Sequence, residues 1–246
     1  SDGEELCFDN VLIGEVWVCA GQSNMEMPMK GFPSQPIDNG NMDVLHSADP
    51  ELHLFTAKRT SRVEPIDTIT GKWTEAAPAT VRNFSATAYY FGRELRRILN
   101  VPVGLIVTAW GGSSCEAWMD RENVKQFVHS GSPYQIPYKD SDIKSKNRQP
   151  TVLYNGMLHP IIGYGIRGAI WYQGESNAHN VELHEVIFPT LIDSWRKTWN
   201  DAEMPFYFVQ LSSINRPSWP HFRDSQRRMA AEISNCDFAV SSDKGD

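Results

Sequence analysis

Three short polar turns carry the residues of this sequence that have the types needed for chemistry. They are Gly21-Gln22-Ser23-Asn24, Trp110-Gly111-Gly112-Ser113 and Gln173-Gly174-Glu175-Ser176-Asn177. Together they offer a hydroxyl nucleophile, a glycine pair whose amides can approach a ligand closely, a carboxylate and side-chain amides. Acyl transfer through a serine needs this set: a nucleophile, N–H donors for the oxyanion, and an acid that orients the general base.

Ser23 is the candidate nucleophile. Gly21, two residues earlier, permits a sharp turn that would expose the hydroxyl, as in the Gly-x-Ser-x-Gly elbow, although the second glycine of that elbow is missing. A serine that caps the following segment is the alternative, and spacing alone leaves both open. Gly111 and Gly112 fit either oxyanion donors or a plain turn, and Glu175 fits either a histidine partner or a first-turn helix acid.

The elements that must position these turns are predicted from short apolar and β-branched runs. Strands are expected at 15–20, 52–57, 103–109, 168–172, 205–211 and 237–241. Several are continuous apolar runs, which are typical of strands buried on both faces of a parallel sheet. Each polar turn directly follows one of these strands. All three turns are therefore expected at one sheet edge, where open α/β sheets place their active sites.

Amphipathic segments alternate with the strands. Three helices are predicted, the first capped by Ser85 and ended before Pro102, the second with Pro189 in its first turn, the third capped by Ser218. Their apolar stripes are Ala88, Phe91, Leu95 and Leu99; Phe188, Leu191, Ile192, Trp195 and Trp199; and Phe222, Met229, Ala230 and Ile233. The alternation predicts an α/β fold: a three-layer α/β/α sandwich with a mainly parallel central sheet. Segments 26–49 and 120–149 break it and are expected to be loops that either wall a cleft or are tolerated insertions.

Composition excludes several classes of function. Acidic residues outnumber basic ones by 30 to 23, and no cluster of Lys and Arg forms the footprint of a nucleic-acid partner. No apolar run approaches the about 20 residues that span a membrane. The four cysteines have no metal spacing; Cys19 and Cys236 lie in predicted strands and are expected to be buried thiols, with a Cys7–Cys19 disulfide as the alternative. We expect no metal and no organic cofactor.

Taken together, these motifs resemble the sialate O-acetylesterase family, a branch of the SGNH hydrolases related to acetylxylan esterases. The resemblance is carried by residues 16–27, 109–113 and 171–178, and it continues through 153–157, 194–196, 205–211 and 223–226. It implies an SGNH-hydrolase, flavodoxin-like fold and a serine esterase that removes acetyl groups from sugars through an acyl-enzyme. An acetylxylan esterase and a non-catalytic carbohydrate-binding domain are the alternatives, and no nucleic-acid or membrane partner is implied.

The resemblance also implies roles for single residues. Ser23 matches the nucleophile, and its own N–H joins the oxyanion hole. Gly112 matches the glycine of the hole, with Gly111 as the alternative, and Asn177 matches its asparagine. Glu175 matches the triad acid of related carbohydrate esterases, although other SGNH enzymes take that acid from an Asp just before the histidine. Gln22 and Gln173, in the same motifs, are predicted to bind the substrate. The aromatic residues near the turns are Trp110, Trp118, Trp171 and Tyr172; packing on a sugar face is one prediction for them, and the alternative is that about half belong to the core.

In this family the catalytic histidine follows the last strand in an Asp-x-His or Asp-x-x-His segment. Residues 240–246 resemble the lead-in to it, so we expect the histidine beyond Asp246. Residues 1–10 resemble the end of a preceding β-rich region. The chain is thus expected to be a single catalytic domain over 1–246 truncated at both ends, from an extracellular or periplasmic protein. Asp43-Val-Leu-His46 fits the pattern but is out of order, and we do not expect it to serve.

Overall fold

A seven-stranded sheet forms the centre of the computed structural model, which describes residue 3 and residues 7–130 and 132–242. The strands are β1 (Glu15–Gly21), β2 (Asp49–Thr56), β3 (Thr74–Ala76), β4 (Val103–Ala109), β5 (Gly168–Tyr172), β6 (Phe206–Val209) and β7 (Cys236–Ala239). Their order is β3-β2-β4-β1-β5-β6-β7, and every neighbouring pair is parallel except β2 with β3. The mainly parallel sheet confirms the predicted fold class. The predicted remnant at 1–10 and the histidine lead-in at 240–246 lie partly outside the described residues.

The helices are α1 (Ser23–Glu26), α2 (Gly40–Leu45), α3 (Pro78–Val81), α4 (Ala86–Leu99), α5 (Arg121–Val124), α6 (Val181–Thr198) and α7 (Trp219–Glu232). The cap of α4 is as predicted, because Ser85 Oγ accepts a hydrogen bond of 3.1 Å from the Ala88 N–H. The start predicted for the second helix was wrong. Its first two turns, capped by Asn180, extend it upstream, so Pro189 lies inside α6 rather than in its first turn. Ser218 precedes α7 but makes no side-chain cap bond, which corrects the predicted cap.

Alternate residues of β1 face the two helical layers. Trp17 and Cys19 pack with residues of α4, whereas Val18 and Ala20 pack in the cluster that contains the apolar stripe of α6. The helix α4 precedes β4, while α6 follows β5, so the connections cover opposite faces of the sheet on the two sides of β1. This reversal next to the central strand is where open α/β sheets form a crevice at their carboxyl edge.

The four cysteines are free thiols. Cys19 and Cys115 are buried, Cys236 is half-buried and Cys7 is exposed, so the alternative Cys7–Cys19 disulfide is not formed. Burial raises the pKa of the Cys115 thiol well above its ordinary value. Across the described part of the chain, no helix combines the length and apolar character needed to cross a membrane.

Candidate active site

The three polar turns meet at the carboxyl edge of the sheet, as predicted, because β4, β1 and β5 are neighbours. The end of β1 holds the other two together: Gly21 O accepts a hydrogen bond of 3.1 Å from Trp110 N–H, and Gln22 N–H donates one of 2.9 Å to Tyr172 O. A side chain at Gly21 has no room, because a Cβ there would lie 2.2 Å from Tyr172 O, and its φ of 143° also favours glycine.

Ser23 is the first residue of α1 and is half-buried. The cap position of α1 is Gln22, which makes no side-chain cap bond, so Ser23 does not serve as the cap. Within the described residues, neither Ser23 Oγ nor Ser23 N–H has a hydrogen-bond partner. The hydroxyl is therefore free to react and its amide is free to donate.

The backbone groups of Gly111 and Gly112 are all engaged except one. Gly111 N–H donates a hydrogen bond of 2.8 Å to Glu26 Oε2. The two carbonyl oxygens accept hydrogen bonds from the side chains of Asn147 (2.7 Å, to Gly111) and of Arg148 and Ser176 (3.0 Å each, to Gly112). Only Gly112 N–H has no acceptor among the described residues. Since native backbone groups are almost always paired, this unpaired donor beside the serine is the one available to a ligand.

Gly111 is the part of this turn that lies against Ser23. An ideal Cβ at Gly111 would be 3.7 Å from Ser23 Cβ, so the turn and the serine are in van der Waals range. Gly112 has a φ of 70°, a left-handed conformation that side chains disfavour. Glycine is needed at the two positions for different reasons. At Gly111 it lets the turn approach its neighbours closely, and at Gly112 it lets the backbone adopt a left-handed conformation.

Asn177 is buried in a network behind the turns. Its Oδ1 accepts hydrogen bonds from Cys115 N–H (3.0 Å) and Gln173 Nε2 (2.7 Å), and its Nδ2 donates one of 2.9 Å to Glu116 Oε2. One of its two amide hydrogens is therefore used within the protein, and one is left for an oxyanion. Its role as the third donor of the hole stays a prediction.

Glu175 lies on the opposite side of the site from the glycine turn. Its Oε1 accepts a hydrogen bond of 2.7 Å from Asn24 Nδ2, while its Oε2 is buried without a partner in the described structure. Burial raises the pKa of this carboxyl above its usual range, and the hydrogen bond from Asn24 partly opposes that effect. A carboxylate held on one oxygen and open on the other can accept a further N–H, which is what a triad acid does.

Gln22 and Gln173 are 3% and 1% exposed, and their hydrogen bonds join the turns to one another. Gln22 Oε1 accepts hydrogen bonds of 3.4 Å from the backbone N–H groups of Gly174 and Ser176. Gln173 Nε2 uses both of its hydrogens, on Ser113 O and Asn177 Oδ1. These contacts give both residues a framework role, and direct contact with a substrate stays a prediction.

Two of the four aromatic residues near the turns belong to the core, which agrees with the alternative that about half of them would. Trp118 and Trp171 are fully buried and pack edge to face with ring centroids 6.2 Å apart. Trp110 and Tyr172 remain half-buried at the site, and Tyr172 Oη lies 3.3 Å from Ser241 Oγ beyond β7. The indoles of Trp118 and Trp171 lie in the apolar cluster that contains the stripe of α6, so neither is open to a sugar.

No described histidine hydrogen-bonds Ser23. Asp43, which fits the Asp-x-x-His pattern, accepts hydrogen bonds from Tyr90 Oη and Arg93, while His46 Nδ1 lies 2.9 Å from Met42 O. His184 is buried against Phe188. Among the described residues there is also no cluster of three or more His, Cys, Asp or Glu side chains suited to a metal ion.

Sequence reasoning missed the residues that hold the glycine turn in place. Glu26 caps the Gly111 amide, and Arg59 pairs with Glu26 while lying over the ring of Trp110. Asn147 and Arg148, from the end of the loop 120–149, bond the glycine carbonyls. The one signal in the sequence was the i,i+3 spacing of Ser23 and Glu26, which places both on one face of a helical turn.

Comparisons with known proteins identify relatives along nearly the whole chain. The profile of the family described as "Carbohydrate esterase, sialic acid-specific acetylesterase" matches residues 13–245. The sialate O-acetylesterases of Homo sapiens and Mus musculus are 33% and 31% identical over 85% of this chain, which covers 41% and 45% of those proteins. The chain thus spans less than half the length of these relatives.

A solved structure extends the similarity to three dimensions. A carbohydrate acetylesterase from Xanthomonas citri superposes with a TM-score of 0.81 and 32% identity, over 95% of this chain and 51% of that one. The structure of NanS superposes with a TM-score of 0.58 at 15% identity, over 94% of this chain and 78% of that one, which shows a shared fold.

Proposed function

The chain belongs to the carbohydrate esterase family of sialic acid-specific acetylesterases, and from this membership we propose that it hydrolyses O-acetyl esters of sugars by a serine mechanism. Ser23 is the nucleophile. The N–H groups of Ser23 and Gly112, with Asn177 Nδ2 as a third donor, form the oxyanion hole. Glu175 is the acid that orients the general base.

The observation that carries this proposal is the pairing of an unbonded nucleophile with unbonded donors. Ser23 Oγ, Ser23 N–H and Gly112 N–H lack partners among the described residues, whereas the other backbone groups of Gly111 and Gly112 are bonded. Donors fixed in advance of the reaction stabilise developing negative charge at no cost in reorganisation, and removing one costs about 10²- to 10³-fold in kcat.

The reaction proceeds in two acyl-transfer steps. Ser23 Oγ attacks the acetyl carbonyl carbon while its proton passes to a histidine, which the family resemblance assigns to the segment after β7. The carbonyl oxygen becomes an oxyanion held by the Ser23 and Gly112 amides. Collapse expels the sugar oxygen, which takes the proton, and leaves acetyl-Ser23. Water then attacks the acetyl-enzyme by the same route and releases acetate and the free serine.

The substrate we propose is an O-acetylated sialic acid, because the family is described by that substrate and the curated mammalian relatives are sialate O-acetylesterases. Acetylated xylan is the competing substrate. A half-buried Trp110 beside the oxyanion turn offers an apolar face on which a sugar can pack.

The test uses the natural full-length protein that carries this chain. Acetate release is measured from 9-O-acetyl sialic acid and from acetylxylan, with the Ser23→Ala variant in parallel. We expect turnover of the sialic acid ester and a loss of about 10³-fold or more on substitution. A folded protein that binds sugar without releasing acetate would support the non-catalytic alternative, and preferential turnover of acetylxylan would reassign the substrate.

A further inference from the structure

We infer that Glu26 is a positioning residue for the oxyanion hole, acting through the amide of Gly111. This inference rests on the serine mechanism proposed above. The family resemblance gives Glu26 no role, and its carboxylate binds Gly111 N–H and Arg59 rather than Ser23. It therefore acts on the backbone of the glycine turn.

The geometry places the nucleophile and this carboxylate on one rigid unit. Ser23 and Glu26 are the first and last residues of α1, three positions apart and therefore on the same side of the turn. Glu26 Oε2 accepts a hydrogen bond of 2.8 Å from Gly111 N–H, across 85 positions of sequence. The segment that presents Ser23 is thus bonded directly to the segment that presents the Gly112 amide.

Arg59 fixes the other end of the carboxylate. Its guanidinium pairs with Glu26 Oε1 and lies 5.7 Å from the centroid of the Trp110 ring. The Glu26 side chain is 18% exposed, so the pair is partly shielded from water. A carboxylate held on both oxygens has little freedom to rotate away from Gly111, and Arg59 also contacts the residue that precedes the glycines.

The spacing between the serine and the turn depends on this bond. An ideal Cβ at Gly111 would lie 3.7 Å from Ser23 Cβ, an ordinary contact, but 3.0 Å from Glu26 Oε2, so the absence of a side chain lets the turn approach the carboxylate closely. Bonds to the glycine carbonyls from Asn147, Arg148 and Ser176 hold the opposite side of the turn. Without Glu26, the Gly111 amide would have no partner among the described residues, and on the side of Ser23 the turn would be held by the bonds of Trp110 N–H and Ser113 Oγ to Gly21 O alone.

Loss of the Glu26 contact is expected to affect the transition state rather than the binding of substrate. Ground-state binding of the sugar does not require the Gly112 amide to meet an oxyanion, whereas the tetrahedral intermediate does. Loss of Glu26 is therefore expected to lower kcat and to leave KM nearly unchanged. An error of about 1 Å in the position of a catalytic group is enough to cost about 10²-fold.

The experiment compares Glu26→Ala and Glu26→Gln in the full-length protein, with 4-nitrophenyl acetate and 9-O-acetyl sialic acid as substrates. The glutamine keeps an oxygen that accepts from Gly111 N–H but loses the pairing with Arg59, so we expect a loss of kcat that is clearly smaller than that of the alanine variant. The alanine variant should lose about 10- to 100-fold in kcat. Inhibition by methylboronic acid, which forms a tetrahedral adduct on serine, should weaken by the same factor in the alanine variant.

Glu185→Ala is the matched control, since Glu185 is also a partly shielded helical carboxylate paired with an arginine, Arg228, but lies away from the site. Thermal unfolding of each variant separates a loss of folding from a loss of catalysis. Equal kcat in a folded Glu26→Ala variant, or an equal loss in the alanine and glutamine variants, overturns the inference alone. Turnover by the parent protein that survives Ser23→Ala overturns the serine mechanism, and the inference with it.

Discussion

Asn24 Nδ2 donates a hydrogen bond of 2.7 Å to Glu175 Oε1, and so joins two residues that are 151 positions apart in the sequence. Asn24 directly follows Ser23, the proposed nucleophile, and Glu175 lies in the turn after β5. The bond fixes the carboxylate relative to Ser23 while Oε2 stays buried without a partner in the described structure. A buried carboxylate with one unpaired oxygen lowers the stability of the fold, and the unpaired oxygen is able to accept a hydrogen bond from a general base. Both effects can be measured.

Glu175→Gln is expected to lower kcat by about 10²- to 10⁴-fold, because a neutral amide neither orients nor stabilises a charged histidine as a carboxylate does. The parent enzyme should also lose activity on acidification as Glu175 becomes protonated. Since burial raises the pKa of Glu175, this loss should begin above the usual range of a glutamate. The pH dependence of kcat/KM measures it, and an acid limb unchanged by the substitution would argue against the triad role.

The same substitution is expected to stabilise the fold at neutral pH. A carboxyl whose pKa is raised by folding contributes stability below its unfolded pKa and loses that contribution as the pH rises through its folded pKa. The ionised, desolvated form is present at neutral pH, and glutamine removes it. The Tm of Glu175→Gln should exceed that of the parent at pH 7, with a smaller difference near pH 4. Exposed Glu182, in the first turn of α6, provides the control substitution to Gln.

Gly112→Ala tests the assignment of the free amide. Gly112 has a φ of 70°, and an added Cβ would lie 3.3 Å from Asn147 Nδ2. Backbone strain of about 1–2 kcal/mol is expected, together with displacement of the Gly112 N–H and a fall in kcat of about 10- to 100-fold.

Gly163→Ala separates the cost of backbone strain from the displacement of the Gly112 N–H. Gly163 also has a left-handed φ, of 93°, but no atom lies within 4 Å of an added Cβ. It should show a similar loss in the free energy of unfolding with unchanged kcat. Equal activity of the two alanine variants would show that the Gly112 amide does not take part in catalysis.

Two serines at helix starts allow the contribution of helix capping to stability to be tested away from the candidate site. Ser85 Oγ accepts the Ala88 N–H at the start of α4, whereas Ser218 makes no side-chain cap bond at the start of α7. Ser85→Ala should therefore cost about 1 kcal/mol of unfolding free energy, and Ser218→Ala less than about 0.5 kcal/mol. Urea denaturation measures both, and a larger cost at Ser218 would contradict the cap geometry.

Much of the sheet was predictable from the sequence because its signals are local. The bounds of β4 and β5 agree with the predicted 103–109 and 168–172, since both are continuous apolar runs ended by polar turns. The strand β3 was missed, because three residues, Thr74–Ala76, give no measurable period. The start of α6 was missed because its first two turns mix apolar and charged residues and because His184, which is buried there, is not counted as apolar.

The candidate site was likewise predictable only in part. The motifs located the three turns and the residues within them, and the strand order brought those turns together. The contacts that fix the turns span long stretches of sequence: 85 positions from Glu26 to Gly111 and 36 from Gly111 to Asn147. Such pairs depend on how separate loops pack, and no local pattern encodes them. The polar loop 120–149 was open to either interpretation, and its contacts with the glycine carbonyls place it at the site.

His184 gives a prediction about acid stability. Its ring lies against Phe188 and Phe222, with centroids 5.3 and 4.4 Å away, and both ring nitrogens are buried without partners in the described structure. Burial lowers the pKa of His184 to about 3, from an ordinary value of 6.5. The unfolded chain therefore takes up a proton first on acidification, and the folded state loses stability as the pH falls from 6.5 toward 3.

His184→Leu removes this titration and two unpaired polar atoms from the core. Between pH 7 and pH 4 the variant should lose about 3 kcal/mol less unfolding free energy than the parent. Urea denaturation at a series of pH values measures the difference, and His221→Leu at an exposed position of α7 is the control. A parent protein and a His184→Leu variant with the same pH dependence would show that His184 escapes burial or gains a partner on protonation, because the carboxylates that also couple stability to acid are the same in both proteins.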